Sequence, residues 1–451
     1  MAQPNVMDIP IEENKAMIKT LKNKIASFPS DIDPRIKAQE QFLVGVGEDI
    51  VEKQLEKERM NAVLAKHEEL YPPNQIECPI CLEDVRLKCR YSAQFFPCCG
   101  QNICMTCAQS KGGQEMTTCP MCRSPKNTEY SEHILRLKKS ADRGVAAAQC
   151  MLGACYLGFA DSKQATNVEE GIRLMQLAAE QGDPNALASL THFQQLRLFG
   201  LERSPELENK MLTKAAHAGL CVAQTSLAWR YSREEDYTMA VTYATLACRA
   251  TNHDNMIHPA QQLGKFFYNG VGGLEKNLYI AKFYLELAEK FSNGNTTNHL
   301  ILAKTLLELS EKNYGTRHPP AGYSSIPRVL HLLNKAIDRD EDISESQELI
   351  KELEIHKKCA NCGREAESMH SKKLKQCAVC EAVSYCSRDC QVKHWKDGHK
   401  KDCVKKYRPL EGIARFLPPG ASVENMKNAT FIGPNGEKGE RILKSLMEAY
   451  P

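Results

Sequence analysis

Fifteen cysteines and one histidine of this 451-residue chain stand in two blocks, at spacings that let them share metal ions. The first block reads Cys78-Pro-Ile-Cys81, Cys98-Cys99, Cys104-Met-Thr-Cys107 and Cys119-Pro-Met-Cys122. The second reads Cys359-Ala-Asn-Cys362, Cys377-Ala-Val-Cys380, then Cys386, Cys390, His399 and Cys403. Thiolates two residues apart on a turn reach one ion together, and zinc takes four such ligands in a tetrahedron. Each block therefore supplies two ions, and the chain is expected to carry four zinc ions in two small modules. With every ion saturated by four protein ligands, no open position remains for a hydrolytic water. Segments of about 50 residues cannot bury a sufficient core, so the metals supply most of the folding energy, on the order of 10 to 16 kcal/mol per site near neutral pH. Whether the pairs are shared sequentially or interleaved is left open by spacing alone.

The rest of the composition fits that chemistry. Charged residues make up 25% of the chain and its net charge is +3. Apolar stretches are interrupted well short of the roughly 18 residues of a spanning helix. The start, Met1 to Asp8, lacks a basic region followed by an apolar one. No membrane partner is expected, and the cytoplasm or nucleus is the expected compartment, where clustered cysteines are metal ligands rather than disulfides. Residues Lys351 to Leu410 hold 15 Lys or Arg against 8 Asp or Glu, a net of +7. This is a solvated basic face or a surface for an acidic partner. No alternation of aromatic and basic residues accompanies it, so nucleic acid is not the expected partner.

The elements that position these ligands are helical. Glu48 to Leu70 carries apolar residues at helical spacing and ends at Pro72-Pro73. In the middle, Ala148, Ala186, Ala223 and Ala260 are separated by 38, 37 and 37 residues. Each follows a turn, at Gly144, Gly182, Gly219 and the stretch from Asn252 to Pro259. A period near 37 means one helical hairpin per repeat, with Ala or Gly where two helices approach closely. No hairpin buries its own face, so the repeats must stack into a solenoid. The strings Ala148-x-x-x-Leu152-Gly153-x-x-Tyr156 and Ala178-Ala179-Glu180-x-Gly182 resemble the Sel-like repeats, relatives of the tetratricopeptide family. Asn313 to Ser325 reads as a loop. Val329 to Ile337 and Ile343 to Ile355 read as helices of a degenerate fifth repeat that caps the stack.

Beyond its spacing, the first block resembles a RING finger in Cys78-Pro-Ile-Cys81-Leu-Glu-Asp, Phe96-Pro-Cys98-Cys99-Gly-Gln101-Asn-Ile-Cys104 and Cys119-Pro-Met-Cys122-Arg123. That resemblance implies interleaving. Cys78, Cys81, Cys104 and Cys107 would hold one ion, and Cys98, Cys99, Cys119 and Cys122 the other. Gln101 stands where the family usually has a histidine ligand, so adjacent Cys98 and Cys99 would both coordinate; Cys89 is a spare, packed thiol. RING fingers of known activity are ubiquitin ligases that orient a charged ubiquitin-conjugating enzyme, so no nucleophile or base is implied in this chain. The matching surface is Ile80 and Pro120 for apolar contact and Arg123 as the bridging cation. No Trp follows Cys107, where many active members carry one.

The second block closely resembles a MYND finger. The resemblance implies Cys359, Cys362, Cys386 and Cys390 on one zinc and Cys377, Cys380, His399 and Cys403 on the other, with Cys386 to Cys403 expected to be helical. His394 is expected to be a surface or supporting group, not a ligand. MYND fingers bind proline-rich peptides beside a glutamine and a tryptophan, matched by Gln391 and Trp395, where a proline ring stacks on a half-exposed aromatic.

The expected fold is mainly α, a helical-hairpin repeat solenoid flanked by two small zinc-stabilised modules. Its segments are a helical lead-in (1–72), the RING-type module (75–126), Sel-like repeats (135–312), a degenerate repeat or capping helices (326–355), the MYND-type module (356–404) and a tail (405–451). The expected function is a RING-type ubiquitin ligase whose repeats and MYND finger bind substrate or adaptor proteins. The alternative is a non-catalytic, zinc-dependent interaction scaffold.

Overall fold

The computed structural model describes residues 9–72, 77–82, 93–126, 129–159, 167–248, 253–292, 298–353, 358–365 and 374–405. Cys89, Asn252 and the tail beyond 405 lie outside the described residues. The chain divides into two compact units, one of Leu55–Lys276 and one joining Met1–Gln54 to Asn277–Pro451.

Two helices open the chain, α1 (Ile11–Ala26) and α2 (Pro34–Leu70). The latter begins at Pro34, within the lead-in expected to be helical, because Asp33 accepts the Arg35 amide at 2.8 Å while Pro34 sits in the first helical position. In the Leu55–Lys276 unit follow the antiparallel hairpin β1 (Ala93–Phe96) and β2 (Gln101–Cys104), then the short helices α3 (Met105–Gln109) and α4 (Lys111–Gln114). Helices α5 (Tyr130–Asp142), α6 (Ala146–Tyr156), α7 (Val168–Glu180), α8 (Pro184–Gln195), α9 (Pro205–His217), α10 (Cys221–Arg233), α11 (Tyr237–Ala247) and α12 (His253–Asn269) then pack each on the next.

The small residues that set the period do what the spacing requires. Ala148, Ala186, Ala223 and Ala260 are fully buried, each on the second helix of a pair. A Cβ on Gly153 would lie 2.8 Å from the Gly171 carbonyl oxygen, so α6 and α7 meet backbone to backbone. Gly144, Gly182 and Gly219 adopt φ of 82°, 85° and 88°, the left-handed stop that ends a helix. The expected fourth turn does not hold as read: residues 253–259 are helical, and Pro259 lies inside α12. Packing of α12 on α10 and α11 outweighs the missing amide of one proline.

The other unit continues with α13 (Leu278–Phe291), α14 (His299–Tyr314), α15 (Ile326–Asp338) and α16 (Ile343–Glu352). The loop expected from Asn313 begins two residues later, where Gly315 turns left-handed at φ 70°. On α15, Ile326, Val329, Leu330 and Leu333 are buried at i, i+3, i+4 and i+7, which defines one apolar face. The two-residue strands β3 (Lys375–Gln376) and β4 (Ser384–Tyr385) pair antiparallel, followed by α17 (Arg388–His394), a single wide turn Trp395–His399 and α18 (Lys400–Asp402). The continuous helix expected from Cys386 to Cys403 is thus corrected. Cys386 precedes the helix, whose cap is Ser387 accepting the Cys390 amide, and Gly398 at φ 139° breaks the helical path.

Candidate metal centres and the surfaces they hold out

The fold gathers the sixteen Cys and His side chains into four groups: Cys78, Cys81, Cys104 and Cys107; Cys98, Cys99, Cys119 and Cys122; Cys359, Cys362, Cys386 and Cys390; and Cys377, Cys380, His399 and Cys403. Within each group the ligand atoms lie within 4.8 Å of one another. The sulfurs of Cys81 and Cys104, Cys99 and Cys119, and Cys362 and Cys386 are 3.7, 3.7 and 3.6 Å apart. A disulfide requires about 2.05 Å. A zinc tetrahedron with bonds of about 2.3 Å has edges of about 3.8 Å. The Cys380 sulfur lies 3.6 Å from His399 Nε2, where one sulfur and one nitrogen ligand require about 3.6 Å. The donor sets therefore fit four zinc ions, and each set reaches four ligands without Gln101, which is exposed on β2.

One local device recurs in all four groups and is hidden in the sequence. In four of the five Cys-x-x-Cys pairs, all but Cys104 and Cys107 at the start of α3, the amide after the pair bonds back to the carbonyl of the first cysteine: Leu82 to Cys78 (2.8 Å), Arg123 to Cys119 (2.9 Å), Gly363 to Cys359 (2.8 Å) and Glu381 to Cys377 (2.9 Å). Each donor residue is left-handed, at φ of 59°, 60°, 70° and 53°. Only one is glycine; Leu82, Arg123 and Glu381 bear a cost of roughly 1 kcal/mol or more for this geometry. The turns aim both thiols of a pair at one point and draw amides toward sulfur, as where Cys104 N–H donates to Cys78 Sγ at 3.4 Å and Ala382 N–H to Cys380 Sγ at 3.4 Å.

Electrostatics agree with a dication at each point. Burial pushes the Cys78 thiol up, and the amides of Cys104, Cys81 and Ile80 more than offset it, bringing it down to about 6. The Ser124 hydroxyl and amide bring Cys122 to about 6. In the finger, burial at Cys359 is outweighed by the amides of Cys362, Cys386 and Asn361, again to about 6. Their neighbours go the other way: the Cys104 sulfur holds Cys107 up at about 12, and the Cys390 sulfur holds Cys386 at about 12. Without a cation, four sulfurs cannot all carry charge; a doubly positive ion removes that conflict. Burial, with His394 beside it, takes His399 down to about 4, so its imidazole is neutral and free to ligate at pH 7. His394 stacks on His399 with ring centres 5.1 Å apart, and its Nδ1 lies 3.0 Å from the Tyr385 hydroxyl. It braces the ligand, as metal-site histidines commonly are braced.

The modules hold out different surfaces. In the first, Ile80 is 45% exposed and Pro120 and Arg123 are exposed. Leu82, which the sequence reading did not single out, is 73% exposed beside Ile80. An apolar residue following a metal-binding pair is the signal that could have found it. In the second, Trp395 is 37% exposed, Gln391 is half-buried one turn earlier, and Val392 adds a further exposed apolar side chain on α17.

Residues 359–403 match the MYND finger family. The chain is 46% identical over 52 residues to an F-box protein of Arabidopsis thaliana, covering 12% of this chain and 13% of that protein. It is 34% identical over 68 residues to ubiquitin C-terminal hydrolase 15 of Oryza sativa subsp. japonica, covering 15% and 6%. With the zinc finger MYND domain-containing protein 10 homolog of Drosophila melanogaster it shares 47% identity over 47 residues, covering 10% and 9%. The similarity thus spans only a small part of each relative. Among solved structures, a Sel1 repeat protein from Oxalobacter formigenes superposes with a TM-score of 0.34 at 22% identity, covering 42% of this chain and 74% of that one. A protective antigen of uropathogenic Escherichia coli with an SLR fold gives 0.37 at 16% identity, covering 66% and 54%.

Proposed function

We propose that this chain is a RING-type ubiquitin ligase in which the first zinc module recruits a charged ubiquitin-conjugating enzyme, while the helical repeats and the MYND finger bind substrate or adaptor proteins. The MYND match and the helical repeats indicate zinc-dependent protein–protein interaction. The observation that carries the finer reading is the set Ile80, Leu82, Pro120 and Arg123. Ile80 and Leu82 belong to the first metal turn, Pro120 and Arg123 to the last, and these turns use two different ions.

Both ions must be bound to hold that surface in one arrangement. Ile80 and Leu82 offer apolar area without a side-chain entropy cost comparable to that of long polar chains. Arg123, fixed in backbone by its bond to Cys119, offers a cation with five donors that bridges carbonyls of two partner proteins. The reacting thioester belongs to the conjugating enzyme. This chain contributes orientation, for which no nucleophile or general base is needed. On the finger, Gln391, Val392 and Trp395 form a shelf on which an extended proline-bearing segment stacks. The four ligand groups are proposed as the residues that bind zinc, with Cys98 and Cys99 both included.

An autoubiquitination assay across a panel of conjugating enzymes tests the reading. Activity is expected with at least one, and the double variant Ile80→Ala, Arg123→Ala should lose it while retaining four zinc ions. Activity that survives the double variant refutes this surface. Inactivity with every conjugating enzyme supports the scaffold alternative.

A further inference from the structure

A cleft of about 840 Å³ runs inside the unit that carries the finger. Its rim includes the exposed residues Pro34 and Arg35, and its floor reaches His399 and Cys359, each 1% exposed and each a member of a different metal group. The cleft is thus lined both by solvent-facing residues and by two buried ligands. Two arms cross it and grip the turn between His399 and Cys403 and the residues just before it.

The first arm is Arg35, whose guanidinium donates to both Asp397 carboxylate oxygens at 3.2 and 2.6 Å. The second is the loop after α14. Gly322 N–H donates to Asp402 Oδ2 at 2.6 Å, and the backbones of Gly322 and Gly398 touch so closely that a Cβ on Gly398 would lie 2.5 Å from Gly322 N. The same Cβ would lie 2.6 Å from the Ala321 carbonyl carbon and oxygen. Asp397, Gly398 and Asp402 flank the two C-terminal ligands of one ion, and all of their grips come from outside the finger.

We propose that this cleft is the route by which zinc reaches and leaves the Cys377, Cys380, His399 and Cys403 group, and that Arg35 and the Ala321–Gly322 backbone form a clasp that slows its exchange. On release the ion passes to water or to a competing chelator, and the thiolates take up protons from solvent. By reciprocity, whatever the clasp adds to retention of this ion, the ion adds to closure of the clasp. The Cys98, Cys99, Cys119 and Cys122 group is held from outside its module at other points, where Ser140 Oγ donates to the Pro97 carbonyl at 2.7 Å and Arg136 to the Pro125 carbonyl at 2.6 Å, so the clasp on Asp397 and Asp402 acts on one ion alone. This inference rests on zinc being bound by that group and is independent of the Gln391 and Trp395 shelf.

The test follows zinc release to 4-(2-pyridylazo)resorcinol from the full chain loaded with four ions. Gly322→Val, which places a branched side chain against Gly398, should speed loss of one ion of the four about tenfold, corresponding to about one hydrogen bond's worth of hold. Arg35→Glu, on the exposed start of α2, should speed the same ion about threefold, since a half-exposed pair contributes little. Lys22→Glu, which breaks the Lys22–Glu48 pair elsewhere in the same unit, should change nothing. Release kinetics unchanged in both clasp variants overturn the proposal. So does a uniform acceleration of all four ions, or an equal acceleration in Lys22→Glu.

Discussion

The two zinc modules use one turn four times and yet are built into the protein in different ways. In the first, the buried apolar cluster is Phe96, Ile103 and Ala108, closed by the ligands Cys78 and Cys119. It is small, and its ligands make up a large share of it. In the second, Cys359, Cys377, Cys380, Ala382 and Tyr385 belong to one continuous core with Leu302, Leu306, Val329, Leu333 and Leu353. The finger is therefore part of the helical cap, whereas the first module carries its own small core and lends only Phe95 to the cluster of α5 and α6. A module with a small private core gains its rigidity from metal; one that shares a larger core lends rigidity to its neighbours and takes it from them. That difference suits the two proposed roles, a rigid surface for a conjugating enzyme at one place and an anchored peptide shelf at the other.

The largest expected effect breaks the comparison at its root. Stripping zinc should remove both modules, but only loss of the finger's metal should reach into helices. Hydrogen exchange on the chelated protein is expected to show α14 to α16 losing protection while α6 to α11 retain it. Equal protection in both sets would show that the finger's core is not shared. Next in size, Leu333→Ala in the shared core and Ile103→Ala in the private one should each cost about 2 to 5 kcal/mol, both residues being fully buried. The first should lower the thermal midpoint of α14 to α16 together with zinc retention by the finger, and the second should loosen only the first module's ions.

A pH titration sharpens the same contrast. His399 is held at about 4, below the ordinary value, so between about 6.5 and 4 the unfolded chain binds its proton and the folded chain does not. Stability of the zinc-loaded finger unit should therefore fall as pH drops through that window, because the bound imidazole must stay neutral. His399→Gln should flatten this part of the profile, measured by urea unfolding at successive pH values. Trp395→Ala should abolish binding of a proline-rich peptide with zinc content unchanged, since the ring is partly exposed and not a ligand. Smallest of all, Leu82→Gly should relieve the left-handed strain of one turn, about 1 kcal/mol, slowing zinc loss from the first module while weakening its apolar surface.

What could be read from the sequence followed from period and spacing. Ala148, Ala186, Ala223 and Ala260 announce their burial because a repeat places the same contact at the same interval, and Cys-x-x-Cys announces itself because two thiols need one turn. Positions decided by tertiary packing were silent. Pro259 reads as a turn residue but lies inside α12, and Cys386 reads as helical although Ser387, a good cap in the string Cys-Ser-Arg-Asp-Cys, starts the helix after it. The left-handed Leu82, Arg123 and Glu381 carry no glycine to mark them. The shared core of Leu302 and Tyr385 joins residues so distant along the chain that no local pattern links them.

The central claim is that four separate Cys and His groups, and no other side chain among the described residues, hold the metal. Native mass spectrometry of the intact chain and of two variants tests it most directly. The account predicts four zinc ions in the parent chain, four in Gln101→Ala and three in Cys99→Ser. Fewer than four ions in the parent, or loss of an ion in Gln101→Ala with none lost in Cys99→Ser, would contradict it.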